Sequence, residues 1–262
     1  ASTRAKLPAS TLALQHFDSV YKTYLGDLWP SVRAGLLSEQ KYGALMNTFA
    51  SNADVISALR SSGCRDFIIR DADAHKTSDQ SRENDRPCTE APSIRSDIQC
   101  FVFPRGDISR FKPARPDGAG LLSYYLLDAA SVLPVLALDV QPDHAVLDLC
   151  AGPGGKTLAI LQTQALRFLW ANDLSGSRVS RLQRTLQSYV PKELRHEDKI
   201  RVTSLDGRKW RNMKDLEFDR VLVDVPCTTD RHSLMEDENN IFKRFRTKER
   251  QTLPLLQLEL LL

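Results

Sequence analysis

The chain has 262 residues, 42% of them apolar, and a formal net charge of +3. That length allows one or two domains with a sizeable core, and no apolar run reaches the roughly 18 residues that a membrane-spanning helix needs. The five cysteines (Cys64, Cys88, Cys100, Cys150 and Cys227) form no CxxC pair and the histidines are scattered, so no disulfide framework and no metal site is expected, and a reducing compartment is favoured.

Residues 1–17 hold Arg4, Lys6 and His16 but no acid, as the edge of a mitochondrial targeting segment would, or a basic or trimmed N-terminus. Residues 11–60 read as helical. Phe17, Val20, Tyr21, Tyr24, Leu25 and Leu28 recur at spacings of three and four and predict one apolar stripe. Trp29-Pro30 breaks that helix, and Ser31–Leu37 and Ser38–Leu59 continue as shorter ones. Phe67–Arg70 suggests a short strand. Residues 71–97 are polar and acidic and predict a loop or disordered insert. Cys100–Pro104 predicts an edge strand. Arg105–Arg115 carries Arg105, Arg110, Lys112 and Arg115 around Phe111, a set that could grip phosphates and stack a base, or be a solvated basic loop. Leu121–Leu138 predicts a helix that Pro134 kinks or restarts.

The most informative stretch is Ala145–Thr157, AVLDLCAGPGGKT. A short apolar run bounded by turn residues is a buried parallel strand. The glycines that follow let a ligand approach the backbone, and the helix start offers free N–H groups. Two phosphate-loop patterns fail. The Walker pattern needs glycine at position 150, where Cys150 stands, and the third glycine of a dinucleotide fingerprint is Thr157. The short spacing of DLCAGPGGKT resembles motif I of S-adenosylmethionine-dependent methyltransferases, whose methyl donor is a methionine-linked nucleoside without phosphates; the alternative is a tight turn with no ligand.

Beyond it the chain alternates. Arg167–Asn172, Ile200–Leu205 and Phe218–Val225 predict strands, and Ser177–Val190 predicts a helix. Such alternation implies right-handed βαβ units and a doubly wound, mostly parallel sheet from about residue 120 onward. Asp148, Asp173, Asp206 and Asp224 fall at the strand ends, where ligands bind in this architecture. Asp173 suits ribose hydroxyls and Asp206-Gly207 an adenine edge, although each acid could instead cap the next helix.

Asp224–Asp230 reads DVPCTTD. A thiol at a strand end beside a methyl-donor site suggests one chemistry. Carbon 5 of a pyrimidine is a weak nucleophile until a thiolate adds to carbon 6. Methyl transfer, loss of the carbon 5 proton and release of the thiol follow. An adjacent carboxylate can accept from the cytosine amino group. The alternative is a buried structural cysteine. Further on, Ile241–Arg250 (IFKRFRTKER) combines core-facing Phe with Arg that could line an RNA channel, and LPLLQLELLL at the end needs a partner surface.

DLCAGPGGKT, Asn172–Arg178 (NDLSGSR), LDG at 205–207 and DVPCT together resemble the Sun (NSUN) family of RNA cytosine-5 methyltransferases, with the N-terminal part most similar to its mitochondrial ribosomal-RNA branch. The resemblance implies the S-adenosylmethionine methyltransferase fold over 121–262, with 1–120 a helical accessory extension. It implies donor binding by Cys150, Ala151, Gly152, Pro153, Gly154, Gly155, Lys156 and Thr157. Asp173 would hold the ribose with Arg178 in support. Asp206 and Gly207 would border the adenine, and Asp224 the methionine end and target base. Cys227, Asp224 and Lys156 would be the catalytic set. It further implies a mitochondrial matrix location, ribosomal RNA as substrate and a helical-repeat partner of the mTERF type, with no membrane and no metal.

One departure stands out. In the family the attacking cysteine lies in a later Thr-Cys motif and the Pro-Cys thiol assists release, yet no cysteine follows Cys227. The chain is therefore expected to be truncated before its last strands. The alternative function is a non-catalytic, donor-binding scaffold that docks a partner in ribosome assembly. A small-molecule methyltransferase is disfavoured by DVPCT and the basic segments.

Overall fold

A computed structural model describes residues 7–68, 98–164, 166–212 and 217–262. The insert expected at 71–97 lies outside them. The chain divides into two compact units, Lys41–Asp224 and Ala1–Gln40 with Val225–Leu262.

The larger unit holds a parallel sheet of β5 (Ala145–Asp148), β6 (Phe168–Asn172), β7 (Ile200–Thr203) and β8 (Arg220–Leu222), in the order β7-β6-β5-β8. The registers Leu147↔Trp170 and Leu147↔Val221 put β5 between β6 and β8. β5 is buried along its whole length, as strands covered on both faces are. Val146 and Leu169 pack with Leu158 and Ile160 of α5 (Gly155–Leu161) and Leu182 and Leu186 of α6 (Gly176–Tyr189). The chain steps outward from β5 to β7 and then returns to β8 on the other side. The switch point therefore lies at the carboxyl ends of β5 and β8. Trp170, Trp210 and Phe218 form an aromatic group on this sheet, with the two indoles 4.8 Å apart.

The same unit contains a second sheet that corrects two helix expectations. β1 (Tyr42–Met46), β2 (Arg65–Asp66), β3 (Cys100–Val102) and β4 (Tyr124–Asp128) pair antiparallel in the order β2-β3-β1-β4. α3 (Ala53–Ser61) follows β1. β1 lies inside the expected helical region and β4 inside the expected Leu121–Leu138 helix. Ala, Leu and Met in YGALM tolerate either state, and the ladder Tyr42↔Asp128 through Met46↔Tyr124 decides for strand. Gly43 is needed there because a Cβ would stand 2.5 Å from Cys100 Sγ. Asp128 ends β4, its carboxylate accepting from Ala130 N at 3.0 Å, and Pro134 sits in the first turn of α4 (Leu133–Ala137) instead of kinking a longer helix. The boundary expected at residue 120 thus runs through a sheet.

The smaller unit is helical. α1 (Ala9–Leu25), α2 (Trp29–Leu37), α7 (Asp230–Met235) and α8 (Thr247–Leu261) enclose Ala13, Phe17, Trp29, Leu234, Phe242 and Leu253. Phe17 stacks on Tyr21 at 5.3 Å and meets Phe242 edge-on at the same distance. The buried line of α1 is Ala9, Ala13, Phe17, at i, i+4, i+8. The expected stripe is shifted, with Tyr24 and Leu28 exposed. In α8 Leu253 is buried and Leu255, Leu258 and Leu261 are exposed.

Candidate functional site

The glycine loop is built from β5 outward. Ala151 N donates to Asn172 O at 2.7 Å and Gly154 N to Ala151 O at 2.8 Å, closing the turn into α5. Gly154 has φ 111°, which a side chain strains against. Gly152 is enclosed: a Cβ there would lie 2.5 Å from Arg178 Cβ and 2.8 Å from Asp173 Oδ2. Gly152 N donates to that oxygen at 3.0 Å, while Asp173 Oδ1 accepts from Ser175 N at 2.8 Å and Arg178 Nε at 2.9 Å. One carboxylate with 1% exposure therefore pins the glycine loop to the start of α6.

Asn172, just before it, clips three strand ends together. Its amide donates to Leu149 O and Leu205 O at 3.2 and 3.0 Å, and its oxygen accepts from Leu205 N at 2.9 Å and Thr203 Oγ1 at 2.8 Å. Sequence reasoning quoted Asn172 in a motif and gave it no role. Its position as the last residue of a strand before an acid was the available signal.

Asp148 is buried at the end of β5. Thr157 Oγ1 donates to its Oδ2 at 2.6 Å, Oδ1 has no partner, and burial pushes the carboxyl up to about 7. Lys156 Nζ pairs with Asp224 Oδ2 at 2.7 Å, with the acid half exposed. Cys150 is half-buried, and burial, with Asp173 nearby, pushes its thiol up to about 11, so it lines the loop as a neutral group. Asp206 is held by Arg208, Nη2 to Oδ2 2.7 Å, which keeps the acid below the usual carboxylate range. Gly207 opens the following 3₁₀ turn. The structure thus brings Gly152, Asp173 and Arg178 together, Lys156 and Asp224 together, and Thr157 onto Asp148. Asp148 ends β5 with a buried oxygen that has no partner among the described residues, and Asp224 follows β8 two residues beyond its end.

Cys227 belongs to the smaller unit and is exposed. Thr229 N donates to its sulfur at 3.3 Å from a left-handed backbone, φ 50°. Thr228 Oγ1 and Tyr21 OH both donate to Asp230, the phenol at 2.5 Å, and burial together with that carboxylate pushes the phenol up. Gln257 Nε2 holds Pro226 O at 2.8 Å. The contribution of Tyr21 was not foreseen, because nothing local connects it to residue 230.

Two expected RNA features change. Phe111 packs on Phe103 at 4.8 Å and so is not free to stack a base, while Arg105, Arg110, Lys112 and Arg115 are exposed. In Ile241–Arg250, Phe242 is buried under the Arg250 guanidinium (4.6 Å), Arg246 pairs with Glu249, and Phe245 is exposed. Among the described residues no helix is long and apolar enough to cross a membrane, and no cluster could hold a metal ion.

A family model described as 16S rRNA methyltransferase RsmB/F matches residues 135–262. The bovine protein named 5-cytosine rRNA methyltransferase NSUN4 is 56% identical over 261 residues, covering 100% of this chain and 68% of the bovine one. The chain belongs to the NSUN4 family of 5-cytosine rRNA methyltransferases. A zebrafish relative named mitochondrial tRNA (cytosine(34)-C(5))-methyltransferase is 38% identical, covering 95% of this chain and 63% of its own. The crystal structure of PH0851 shares the fold, with a TM-score of 0.61 and 21% identity, over 100% of this chain; the chain spans 53% of that protein's length. Members of the family are S-adenosylmethionine-dependent methyltransferases.

Proposed function

We propose that this chain transfers a methyl group from S-adenosylmethionine to carbon 5 of cytosine in ribosomal RNA, in the mitochondrial matrix, alongside a helical-repeat partner of the mTERF type. The observation that carries the reading is the lock of Gly152 onto Asp173 and Arg178, with the Lys156–Asp224 pair at the switch point beside it. S-adenosylmethionine supplies a methyl group on a positively charged sulfur. Residues 150–157 would hold it, with Asp173 offering its remaining lone pair to the ribose, Arg178 orienting Asp173, and Asp206-Gly207 flanking the adenine. Asp224 accepts from the cytosine amino group, which fixes the base edge. Lys156, 2.7 Å from that carboxylate, aims it. Cys227 is the thiol assigned to the pyrimidine. It stands in the Pro-Cys position, whose thiol assists release in the family: after a cysteine thiolate has added to carbon 6, carbon 5 would take the methyl group with S-adenosylhomocysteine leaving, give its proton to solvent and expel the thiolate, and Cys227 would assist that release. The mitochondrial assignment draws on the name of the zebrafish relative.

The test is incubation with labelled donor and ribosomal RNA, then digestion and detection of 5-methylcytidine. Product that disappears in Cys227→Ser supports the assignment. Donor binding without product would reduce the chain to a donor-binding scaffold.

A further inference from the structure

A groove beside the glycine loop carries chemistry the donor site does not use. Tyr125, Pro153, Arg181, Arg184, Thr185 and Ser188 line a cleft of about 410 Å³, all within the larger unit. α6 supplies the last four at i, i+3, i+4 and i+7, which is one face of a helix. The helix contains three arginines and no acid. Arg178 is engaged by Asp173, whereas Arg181 and Arg184 are exposed and, among the described residues, have no carboxylate partner. Arg184 Nε donates to the Ser180 carbonyl of its own helix at 3.3 Å.

The opposite wall is aromatic and braced. Tyr125 meets the buried Tyr189 ring edge-on at 5.4 Å, and lies close enough to the glycine loop that a Cβ on Gly155 would be 3.3 Å from its Cε1. Thr185 Oγ1 donates to Pro153 O at 3.2 Å, tying the loop to the helix. Leu122 N donates to Ser188 O at 2.9 Å and Ser123 N to Arg115 O at 3.3 Å, so the exposed basic loop ending at Arg115 is joined to the far end of the groove.

Two unpaired guanidinium groups facing a fixed ring match a ribonucleotide. Guanidinium forks take phosphate oxygens, and a base stacks on a phenol or a guanidinium plane. An acidic peptide would satisfy the arginines and leave the ring unused. We propose that this groove binds a nucleotide of the substrate RNA other than the one methylated, its phosphate on Arg181 and Arg184 and its base against Tyr125. This rests on the reading of the chain as acting on RNA.

The experiment is fluorescence anisotropy of a labelled ribosomal-RNA fragment across a salt series, with S-adenosylmethionine affinity measured separately by calorimetry. Arg181→Gln/Arg184→Gln is expected to weaken RNA binding about 10–100-fold and to reduce the slope of log affinity on log salt by about 2, with donor affinity unchanged. Tyr125→Ala is expected to weaken RNA binding about 5–50-fold and Tyr125→Phe to restore it. Arg167→Gln, at the amino end of β6 beside Asp143 and Asp219, should match the parent. A parent that binds RNA with a double variant equal to it in affinity and slope overturns the groove and leaves the RNA reading standing. So does an equal loss in Arg167→Gln, which would mark a general charge effect. A parent that binds donor but no RNA overturns both. Should Tyr125→Ala not fold, the arginine pair, on an exposed helix face, decides alone.

Discussion

The glycine loop and the Pro226–Cys227 segment both follow a strand of the parallel sheet, yet they are held in different ways. In the loop, two ties come from farther along the chain, Gly152 to Asp173 and Lys156 to Asp224 across 68 residues, while Thr157 closes onto Asp148 from within the motif. Asp148 and Asp173 there are buried and tied to the sheet. Around Cys227 most bonds are local, Thr229 to Cys227, Thr228 to Asp230, Ser233 to Thr228, with Tyr21 and Gln257 as the distant anchors. A pocket held by buried, distant ties is preformed for a small ligand, whereas an exposed thiol on locally held backbone is open to a large one.

Breaking the buried side of this comparison should have the largest effect. Asp173→Ala strands Gly152 N and the Arg178 guanidinium, and is expected to cost about 3–5 kcal/mol in urea unfolding and to abolish donor binding by calorimetry. Phe17→Ala empties the core of the helical unit and should cost about 3–5 kcal/mol there, with donor affinity within about twofold of the parent. Asp148 sharpens the contrast through pH. Its carboxyl is raised from an ordinary value to about 7, so its contribution to stability is complete below about pH 4 and is lost as pH rises through 7. Relative to Asp148→Asn, the parent should therefore lose a few kcal/mol between pH 4 and 8, a difference that disappears at pH 4. The smallest effect on stability belongs to Lys156→Met. Its pair is partly exposed, so unfolding should shift by less than about 1 kcal/mol, while 5-methylcytidine formation falls about 100-fold or more.

What could be read from sequence follows the same division. The parallel sheet, the helix at 176–189 and the donor loop announce themselves locally, through apolar runs, glycines and acids at strand ends. The antiparallel sheet does not. YGALM and YYLLD carry residues that helices accept, and only their mutual ladder makes them strands. Reading Leu121–Leu138 as a helix also hid Tyr125, which put the groove with Arg181 and Arg184 out of reach. Spacing reads Asp173 as a ribose acceptor, but its three bonds within the chain depend on Gly152 and Arg178 meeting in space.

The placement of the tryptophans has a practical consequence. Trp29 sits in the helical core with its Nε1 on Asp18 at 3.1 Å, while Trp170 and Trp210 share the parallel sheet, where Arg201 lies 4.6 Å over Trp170. With three tryptophans in the whole sequence, each compact unit carries its own fluorophore. A Trp29→Phe chain would report the melting of one unit by emission alone and a Trp170→Phe/Trp210→Phe chain the other, so cooperativity between the halves of this enzyme can be resolved optically without attaching a dye.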